Sequence, residues 1–260
     1  MSAVQLKTAA ELALQREAGR LLTQVFAMLD KNIVAGMSTL QINDLAERYI
    51  VDELQARPAS KGQYGFAYVL NTSVNDVVCH GVPSATQLLK DGDIVNVDIT
   101  LEKHGFIADS SKMYGIGELS FLARQLIDDC YNALWLGIKA VKPGARLGDI
   151  GFAIEQFARS KGYSVVREYC GHGIGREMHE EPQVLHYGAA GTGMLLKPGM
   201  VFTIEPMLNQ GSAKVKTKKD GWTVVTRDKK LSAQWEHTVA VTESGVEVLT
   251  LRPEEQALLC

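Results

Sequence analysis

The sequence lacks the features of a disulfide-stabilised, secreted or membrane-spanning protein. Its four cysteines form no Cys-x-x-Cys pair and no spacing typical of a disulfide framework. The longest apolar stretches are much shorter than a membrane span, and the residues that follow Met1 lack a signal-peptide pattern. We therefore predict a cytoplasmic protein whose cysteines are reduced and which does not enter a membrane.

An excess of positive charge is also absent. The net charge is −3, with 27 basic and 30 acidic residues, so no global attraction to nucleic acid or to membranes is expected. The hydrophobic share of 46% is ordinary for a globular protein. Because no low-complexity linker interrupts the 260 residues, we predict a single domain over residues 1–260, and we expect a monomer.

Several acidic side chains stand in or beside apolar, strand-like runs, where a carboxylate is costly to bury without a cation or strong donors. Together with one histidine they form the candidate ligand set Asp98, Asp109, His172, Glu205 and Glu236. Four converging carboxylates would repel one another and raise each other's pKa. Two divalent cations would balance the four negative charges and leave room for a bridging hydroxide. The pattern therefore predicts a dinuclear metal site.

The local sequence supports some of these ligands more strongly than others. The run Met200–Glu205 is almost wholly apolar before its acid, which is typical of a strand buried on both faces, and Pro206 marks the strand end. Asp98 shares its predicted strand face with Asn96 and Thr100. For Asp98 considered alone, a solvent-facing position therefore stays open.

The chain shows signs of an internal duplication. Leu89–Asp98 aligns without gaps with Leu196–Glu205, and lysine, glycine, an apolar pair and a final acid recur at the same offsets. A weaker pair, Gly36–Ile42 and Gly144–Ile150, has nearly the same displacement, although chance similarity of two glycine turns is an alternative for it. We predict two related halves, each contributing a strand that ends in a carboxylate, with a site between them.

Hydrophobic periodicity and capping signals predict both helices and strands. The helices are expected over 8–29, 40–54, 119–141 and 147–159, and the strands over 74–78, 94–101, 106–114, 201–204, 223–225 and 238–241. Because the two kinds of element occur in blocks, we predict an α+β fold with a curved, mostly antiparallel sheet and helices on its outer face.

Six motifs resemble those of type I methionine aminopeptidases, in the order and spacing of that family. They are Cys79-His80-Gly-Val-Pro83, Gly92-Asp-Ile-Val-Asn-Val-Asp98, Asp109-Ser-Ser-Lys-Met113, Gly171-His172-Gly-Ile-Gly-Arg-Glu-Met-His179-Glu-Glu-Pro182, Thr203-Ile-Glu205-Pro206 and Ser232-Ala-Gln-Trp-Glu236-His-Thr238. The similarity runs from Thr8 to Leu251 and is greatest to the short bacterial form. It implies the pseudo-two-fold pita-bread fold, which agrees with the duplication, and a single catalytic domain over 1–260.

By this resemblance the protein would remove the initiator methionine of new chains when the next residue is small. Asp109 and Glu236 would bridge two metals, Asp98 would complete one coordination sphere, and His172 and Glu205 would complete the other. Oxygen ligands with one imidazole suit divalent Co, Mn or Fe, with Zn as a further option. A metal-bridging hydroxide would be the nucleophile, and Glu205 would take its proton and pass it to the leaving amine.

The resemblance also places two histidines beside the substrate. His80 and His179 would form hydrogen bonds near the scissile peptide and its tetrahedral intermediate. From the residues alone, His80 could serve a turn and His179 could lie in a surface loop, and these alternatives stay open. We assign His186 and His237 to packing or to support of the ligands, since His237 points away from Glu236 if that strand alternates.

Two other patterns are set aside. The segment Gly171–Gly175 lacks the Gly-x-Gly-x-x-Gly spacing of a nucleotide loop, and we expect its glycines to let the backbone pass close to metal and substrate. Cys79 and His80 are not expected to form a nucleophile pair, because neighbours on a strand point to opposite faces.

The sequence departs from the family around the pocket for methionine. Family members usually carry cysteine at the position of Asn71, phenylalanine at that of Met178, and a Tyr-His pair at Gln63-Tyr64. The substrate-binding residues that the resemblance implies are His80, His179, Phe66, Asn71, Met178 and Trp222. The reaction centre is therefore expected to be intact, while methionine selectivity is less secure.

Two further sites are implied by resemblance. A basic hairpin carries Lys214, Lys216, Lys218 and Lys219, and in bacterial relatives this loop docks near the ribosomal exit tunnel. A run of this kind is also common as a merely solvated surface. Family members hold a monovalent cation, Na or K, through carbonyls at the positions of Asn75, Val77 and Ser232.

Two other functions are kept beside methionine removal. One is a different peptidase of the same fold, such as an X-Pro aminopeptidase or a dipeptidase, but those relatives usually have an extra N-terminal domain for which this chain has no room. The other is a non-catalytic binding module. The retention of all five candidate ligands and both histidines argues against it.

Overall fold

The computed structural model describes residues 4–259. Its four α-helices are α1 (Ala9–Leu29), α2 (Thr39–Arg48), α3 (Phe121–Lys139) and α4 (Leu147–Ser160). The first two begin at capping boxes in which the side chains of Thr8 and Ser38 accept hydrogen bonds from backbone N–H groups of the first turn. Helix α2 does not reach residue 54 as an α-helix, because a π-helical turn replaces it over Tyr49–Glu53.

The strands are mostly short. In chain order they are β1 (Arg57–Pro58), β2 (Leu70–Val74), β3 (Val77–Cys79), β4 (Ile94–Lys103), β5 (Phe106–Gly115), β6 (Ser164–Val165), β7 (Gly171–Gly173), β8 (Glu180–Val184), β9 (Val201–Ile204), β10 (Met207–Asn209), β11 (Val215–Thr217), β12 (Val224–Thr226), β13 (Ser232–Gln234), β14 (Glu236–Val241) and β15 (Val246–Val248). The 3₁₀ segments are Gln63–Gly65 and Pro253–Leu259. The predicted α+β class is confirmed.

The main sheet has nine strands and antiparallel pairings. Its central order is β1-β4-β5-β14-β9-β7-β8, with β2 also on β4 and β15 also on β14. Two smaller sheets, β13-β10-β6 and β11-β12-β3, complete the strand pairing of the described residues. In residues 4–259 no helix has the length and apolar character that a bilayer crossing requires.

Each half of the chain packs its own pair of helices. Helices α1 and α2 share one hydrophobic core with β2 and β4, and α3 and α4 share a second with β9 and β14. Isolated bridges pair Ser38 with Leu88 in the first half and Arg146 with Leu195 in the second. The two bridges join equivalent positions of the aligned segments, each between the start of a helix and the approach to a ligand-bearing strand. The structure therefore repeats the duplication that the sequence predicts.

One predicted strand is wrong. The segment 74–78 is not continuous, because β2 ends at Val74 and β3 begins at Val77. Asn75 between them has a φ of +56°, in the left-handed region that asparagine tolerates better than most residues. Its side chain donates to Asp93 Oδ1 at 2.7 Å and accepts from the N–H of Ile94 at 3.1 Å. The backbone N–H of Asn75 also donates to the carbonyl of Ile94 at 2.9 Å, so backbone and side-chain bonds together hold this turn.

Candidate metal centre and active site

The five candidate ligands come from five neighbouring strands of the main sheet. Asp98 lies on β4, Asp109 on β5, Glu236 on β14, Glu205 directly after β9 and His172 on β7, and these strands are adjacent in that order. All five residues line one cavity of about 520 Å³. The curved sheet thus brings together every residue of the predicted ligand set.

The ligand atoms are as close as a shared metal requires. Nε2 of His172 lies 3.8 Å from Asp109 Oδ2 and 3.6 Å from Glu205 Oε1. Ligand atoms of Asp109, His172 and Glu236 lie within 4.8 Å of one another. Nitrogen and oxygen ligands sit about 2.1 Å from a transition metal, so two atoms on the same ion are separated by about 3–4 Å. The spacing fits ligation by these groups.

The electrostatics of the cavity favour a cation. Burial raises the pKa of Asp109 well above its usual range, and the charges of Asp98 and Glu205 raise it further. The pKa of Glu205 is raised to about 8, first by burial and then by the charge of Asp98. Burial also raises the pKa of Glu236, and it raises that of Asp98 to about 6, against hydrogen bonds that lower it. Such carboxylates ionise together only beside compensating positive charge.

One positive side chain acts from outside the cavity, since the charge of Arg252 lowers the pKa of Glu236 against the effect of burial. Within residues 4–259, the cavity lining includes no lysine and no arginine. Oδ1 of Asp109 is buried without a hydrogen-bond partner among the described residues. A divalent cation would satisfy this oxygen and relieve the repulsion between the acids. The donor set of carboxylates and one imidazole therefore fits the metals that the sequence implies.

The backbone holds His172 in the tautomer that a metal ligand needs. Its Nδ1 lies 3.0 Å from the carbonyl of Gly173, to which an N–H can donate, and this leaves a lone pair on Nε2 inside the cavity. Burial lowers the pKa of His172 to about 4, so the ring is neutral at neutral pH. The N–H of His172 donates to Thr203 Oγ1, whose hydroxyl donates to Glu205 Oε1 at 2.9 Å. Two ligands are thus linked through one threonine.

The glycines beside His172 allow close approach to the backbone of neighbouring strands, while the predicted approach to metal and substrate stays a prediction. A Cβ on Gly171 would stand 2.3 Å from the carbonyl oxygen of Thr203, and one on Gly173 would stand 2.1 Å from that of Glu181. Neither position has room for a side chain. The sharp packing of β7 against its neighbours depends on these two residues.

Three residues around Glu205 complete its hydrogen bonding. Thr203 and Gln234 each donate to one carboxylate oxygen, Gln234 at 3.3 Å. The backbone N–H of Glu205 donates to Nε2 of His186 at 3.0 Å. The supporting position assigned to His186 is therefore observed. Gln234 and Thr203 are not among the sequence candidates, although each stands two residues before a predicted ligand in the sequence.

The second supported position is that of His237. Its ring is fully buried on the face of β14 opposite to Glu236, where it contacts Thr250 and Glu255. The alternation predicted for this strand is confirmed, and His237 is not a ligand.

His80 and His179 both line the cavity. Burial lowers the pKa of His80 to about 4, and its ring meets that of Tyr169 edge-on at 5.4 Å. The ring of His179 lies 4.4 Å from that of His172, at the solvent-accessible mouth. Desolvation lowers the pKa of His179, so it can donate as a neutral ring.

The stated reason for separating Cys79 from His80 is wrong. Both residues line the cavity, although they are neighbours in sequence. Strand β3 ends at Cys79, and His80 adopts a φ of +55°, so the alternation of a regular strand does not apply. Burial raises the pKa of the Cys79 thiol, which opposes any role as a nucleophile.

The expected pocket residues form a wall beside the metal ligands. The rings of Phe66 and Trp222 are 4.9 Å apart, and Met178 is almost fully buried. Asn71 pairs with Asp98 across the β2–β4 ladder and lines the same cavity. Tyr64 stacks on His179 from the outside, with 75% of its surface exposed. The positions at which the family resemblance predicts other residues, Gln63, Tyr64, Asn71 and Met178, all line the cavity that the candidate ligands line.

Two predicted sites lie outside the cavity lining. The N–H of Ser232 donates to the carbonyl of Asn75 at 2.9 Å, which brings these two expected cation ligands together close to Val77. The four lysines, Lys214, Lys216, Lys218 and Lys219, are exposed on the hairpin of β11 and β12.

Comparison with known proteins gives one consistent result. The model of metallopeptidase family M24 matches residues 13–243. The methionine aminopeptidase of Salmonella typhimurium is 50% identical over 253 residues, which cover 97% of this chain and 96% of that protein. The crystal structure of methionine aminopeptidase from Rickettsia prowazekii superposes with a TM-score of 0.94 at 44% identity, covering 96% of this chain and all of that chain.

A more distant match shows the fold alone. The prolidase of Pyrococcus horikoshii is 20% identical, with a TM-score of 0.75, and this chain covers 63% of its length. The pita-bread fold implied by the sequence motifs is thereby confirmed. The chain belongs to metallopeptidase family M24, among its methionine aminopeptidases.

Proposed function

We propose that this protein hydrolyses the peptide bond after an N-terminal methionine, with two divalent metal ions in the cavity. The observation that carries the proposal is the convergence of one ligand from each of five adjacent strands onto a cavity with an apolar wall. The methionine side chain would lie against that wall, and the scissile bond would lie above the ligands. The residue after methionine would lie beside His80 and His179, which both line the cavity.

The five ligands would divide between the two ions. In this proposal Asp109 and Glu236 bridge them, Asp98 completes one sphere, and His172 and Glu205 complete the other. The donor set is compatible with divalent Co, Mn, Fe or Zn. When bound, the ions would lower the pKa of a water molecule and supply a nucleophile at neutral pH.

Glu205 would move the proton. Its carboxylate is oriented by Thr203 and Gln234 and lies at the end of β9, facing the cavity. As the water oxygen attacks the carbonyl carbon, Glu205 takes a proton and then gives it to the nitrogen of the leaving peptide as the C–N bond breaks. The products are free methionine and a peptide with a new amino terminus.

The two histidines would bind the reacting peptide. Neutral His179 can donate a hydrogen bond to the oxygen that becomes negative in the tetrahedral intermediate. His80, on the strained turn after β3, can hold the peptide nitrogen side in place. Both roles use rings that carry no positive charge at neutral pH, since burial lowers both pKa values.

The substrate context would be nascent chains in the cytoplasm. The basic hairpin supports contact with ribosomal RNA, because its four lysines project from a chain whose net charge is −3. A monovalent cation, Na or K, would bind near Asn75, Val77 and Ser232. The buried hydroxyl of Ser232, which has no hydrogen-bond partner among the described residues, supports that site.

The test is release of the free N-terminal amino acid by metal-loaded protein: methionine from Met-Ala-Ser, leucine from Leu-Ala-Ser and alanine from Ala-Pro. We expect rapid release from the first peptide, slower release from the second and none from the dipeptide. Preferential cleavage of Ala-Pro would favour the X-Pro peptidase alternative. Absence of cleavage with metal bound would favour the binding module.

A further inference from the structure

The segment 7–15 contacts the loop 174–180, which carries His179. Lys7, Glu11 and Gln15 are spaced four residues apart, and each contacts the stretch 174–180. Nζ of Lys7 lies 2.5 Å from Glu180 Oε2, and both side chains are largely buried, 4% and 13% exposed. The side-chain amide of Gln15 donates to the carbonyl of Ile174 at 3.2 Å. The two contacts hold opposite ends of the stretch.

The third contact lies between them. Glu11, in the first turn of α1, stands 3.6 Å from the guanidinium of Arg176. This pair is more exposed than Lys7–Glu180 and should contribute little. The two segments run antiparallel: as the residue number increases from Lys7 to Gln15, the number of the contacted residue decreases from Glu180 to Ile174. The segment and the loop are therefore matched over their whole length.

Glu180 organises the loop from inside. Its Oε1 accepts hydrogen bonds from the N–H groups of Arg176, at 3.0 Å, and Glu177, at 3.3 Å, while Oε2 receives Lys7. A Cβ at Gly175 would stand 2.5 Å from Nζ of Lys7, so glycine is what lets the lysine cross the loop. The lysine is built into the loop and does not merely lie on its surface.

We propose that the Lys7–Glu180 pair positions His179 and Met178 for catalysis. Both residues stand on the loop that the pair closes, Met178 in the wall of the cavity and His179 at its mouth. Lys7 does not line the cavity, so it acts through the loop. The inference rests on the proposed function, which gives His179 its task.

Loss of the lysine leaves a largely buried carboxylate without its partner, and the loop must rearrange to hydrate it. A displacement of about 1 Å at a positioning group can cost on the order of 10²-fold in rate. We therefore expect Lys7→Met to lower kcat on Met-Ala-Ser by ~10–100-fold, with metal content unchanged. Arg16→Met is the control, because it removes an ion pair made by α1, to Glu247 at 2.5 Å, away from the loop.

The decisive experiment repeats Lys7→Met in a His179→Ala background. If the lysine acts through His179, its loss there should lower kcat by no more than ~3-fold, since coupled residues are not additive. Equal fold-losses in both backgrounds, or a loss no larger than that of Arg16→Met, would overturn the proposal. Glu180→Gln serves as the second variant and should behave like Lys7→Met, so a poorly folding lysine variant does not stop the test.

Hydrogen exchange separates this proposal from the proposed function. Lys7→Met should speed amide exchange in peptides covering 174–180, and Arg16→Met should not. Unchanged exchange in that stretch would refute the proposed role of the Lys7–Glu180 pair, whichever peptides the enzyme cleaves. If Lys7→Met speeds exchange but wild-type protein releases no methionine from Met-Ala-Ser, the pair does hold the loop and the proposed function fails.

Discussion

Nε2 of His172 lies 3.6 Å from Oε1 of Glu205, and the hydroxyl of Thr203 joins the same two residues from behind. The imidazole is neutral and points its lone pair into the cavity, while the carboxylate has a pKa raised to about 8. A neutral imidazole nitrogen and a carboxylate with a raised pKa at this distance are suited to binding the same cation. The account of the site depends on this pair and on the three acids around it.

Removal of a ligand should remove metal and activity together. Asp109→Ala or Glu205→Ala leaves the cations under-coordinated, so we expect both metal content and hydrolysis of Met-Ala-Ser to fall to background. Glu102→Ala is the control, because this acid lies on the same strand as Asp98 but pairs with Arg57 outside the cavity lining. Metal content and activity are measured in parallel on the two ligand variants and on the control. Full activity with unchanged metal in either ligand variant contradicts the dinuclear site.

His179→Ala should keep its metal but turn over slowly. A donor aimed at developing oxyanion charge is worth about 10²–10³ in rate, and His179 is not among the proposed ligands. We expect a fall of that size in kcat, with metal content equal to that of the wild type. A variant that loses metal would make His179 a ligand and overturn its assigned role.

The metal-free protein should lose stability between pH 6.5 and 8. The pKa of Glu205 is raised to about 8 from an ordinary 4.5, so over this range the folded state keeps a proton that the unfolded chain has released. The free energy of unfolding therefore falls as the pH rises. The lowered pKa values of His80, His172 and His186 act in the opposite sense, but only below about pH 6.5, where the unfolded chain gains protons.

Thermal unfolding in a chelator measures this effect. We expect Tm to drop by roughly a few degrees from pH 6.5 to 8 and the drop to shrink when Mn²⁺ is present or when Glu205 is replaced by Gln. A Tm that is flat or rising over this range in the chelated wild type would show that the four acids do not destabilise the empty cavity.

Met178→Phe should sharpen the preference for methionine. Met178 is a flexible thioether in the cavity wall, where the family resemblance of the sequence leads us to expect the rigid ring of a phenylalanine. A methylene is worth about 1–3 kcal/mol of discrimination in such a pocket, and a soft wall loses part of it. The comparison is kcat/KM for Met-Ala-Ser against Leu-Ala-Ser in the two proteins. No gain in the ratio for the phenylalanine variant would contradict the pocket argument.

The basic hairpin should affect ribosome binding and leave peptide hydrolysis unchanged. Lys214, Lys216, Lys218 and Lys219 are exposed and do not line the cavity. Replacing all four by Ala should weaken binding to purified ribosomes and flatten its dependence on salt, because fewer counterions are released. The value of kcat/KM on Met-Ala-Ser should stay within about two-fold of the wild type. Equal ribosome binding by both proteins would make this hairpin a solvated surface only.

The sequence singles out the five candidate ligands because each one interrupts an apolar run or stands in a distinctive motif, and all five line one cavity. Glu205 follows a strand whose residues are all buried, and the alternation of β14 correctly sends Glu236 into the cavity and His237 away from it. Asp98, whose local sequence allowed a surface position, lies in the cavity, on a strand that is paired on both sides, with β2 and with β5. Its neighbours in space decide its environment.

Other features depend on contacts that a pattern does not show. The turn at Asn75 follows from side-chain bonds to Asp93 and Ile94, far along the chain. His80 has a left-handed backbone conformation directly after the end of β3. The prediction that Cys79 and His80 point to opposite faces therefore fails, because it assumes a regular strand. Lys7, which enters the loop before Glu180, is 173 residues away from Glu180 in the sequence. Its position in the loop is seen only in the packed structure.

Titration of metal-free protein with Co²⁺, with bound metal and free methionine followed together in one reaction with Met-Ala-Ser, measures whether methionine release requires metal in this cavity. The account predicts no release in the chelated protein, release that rises with bound metal to no more than two ions per chain, and Ala-Ser as the other product. Glu236→Ala in the same titration should bind less metal and release no methionine. Full release in the chelated wild type, or none at saturating Co²⁺, would contradict the account.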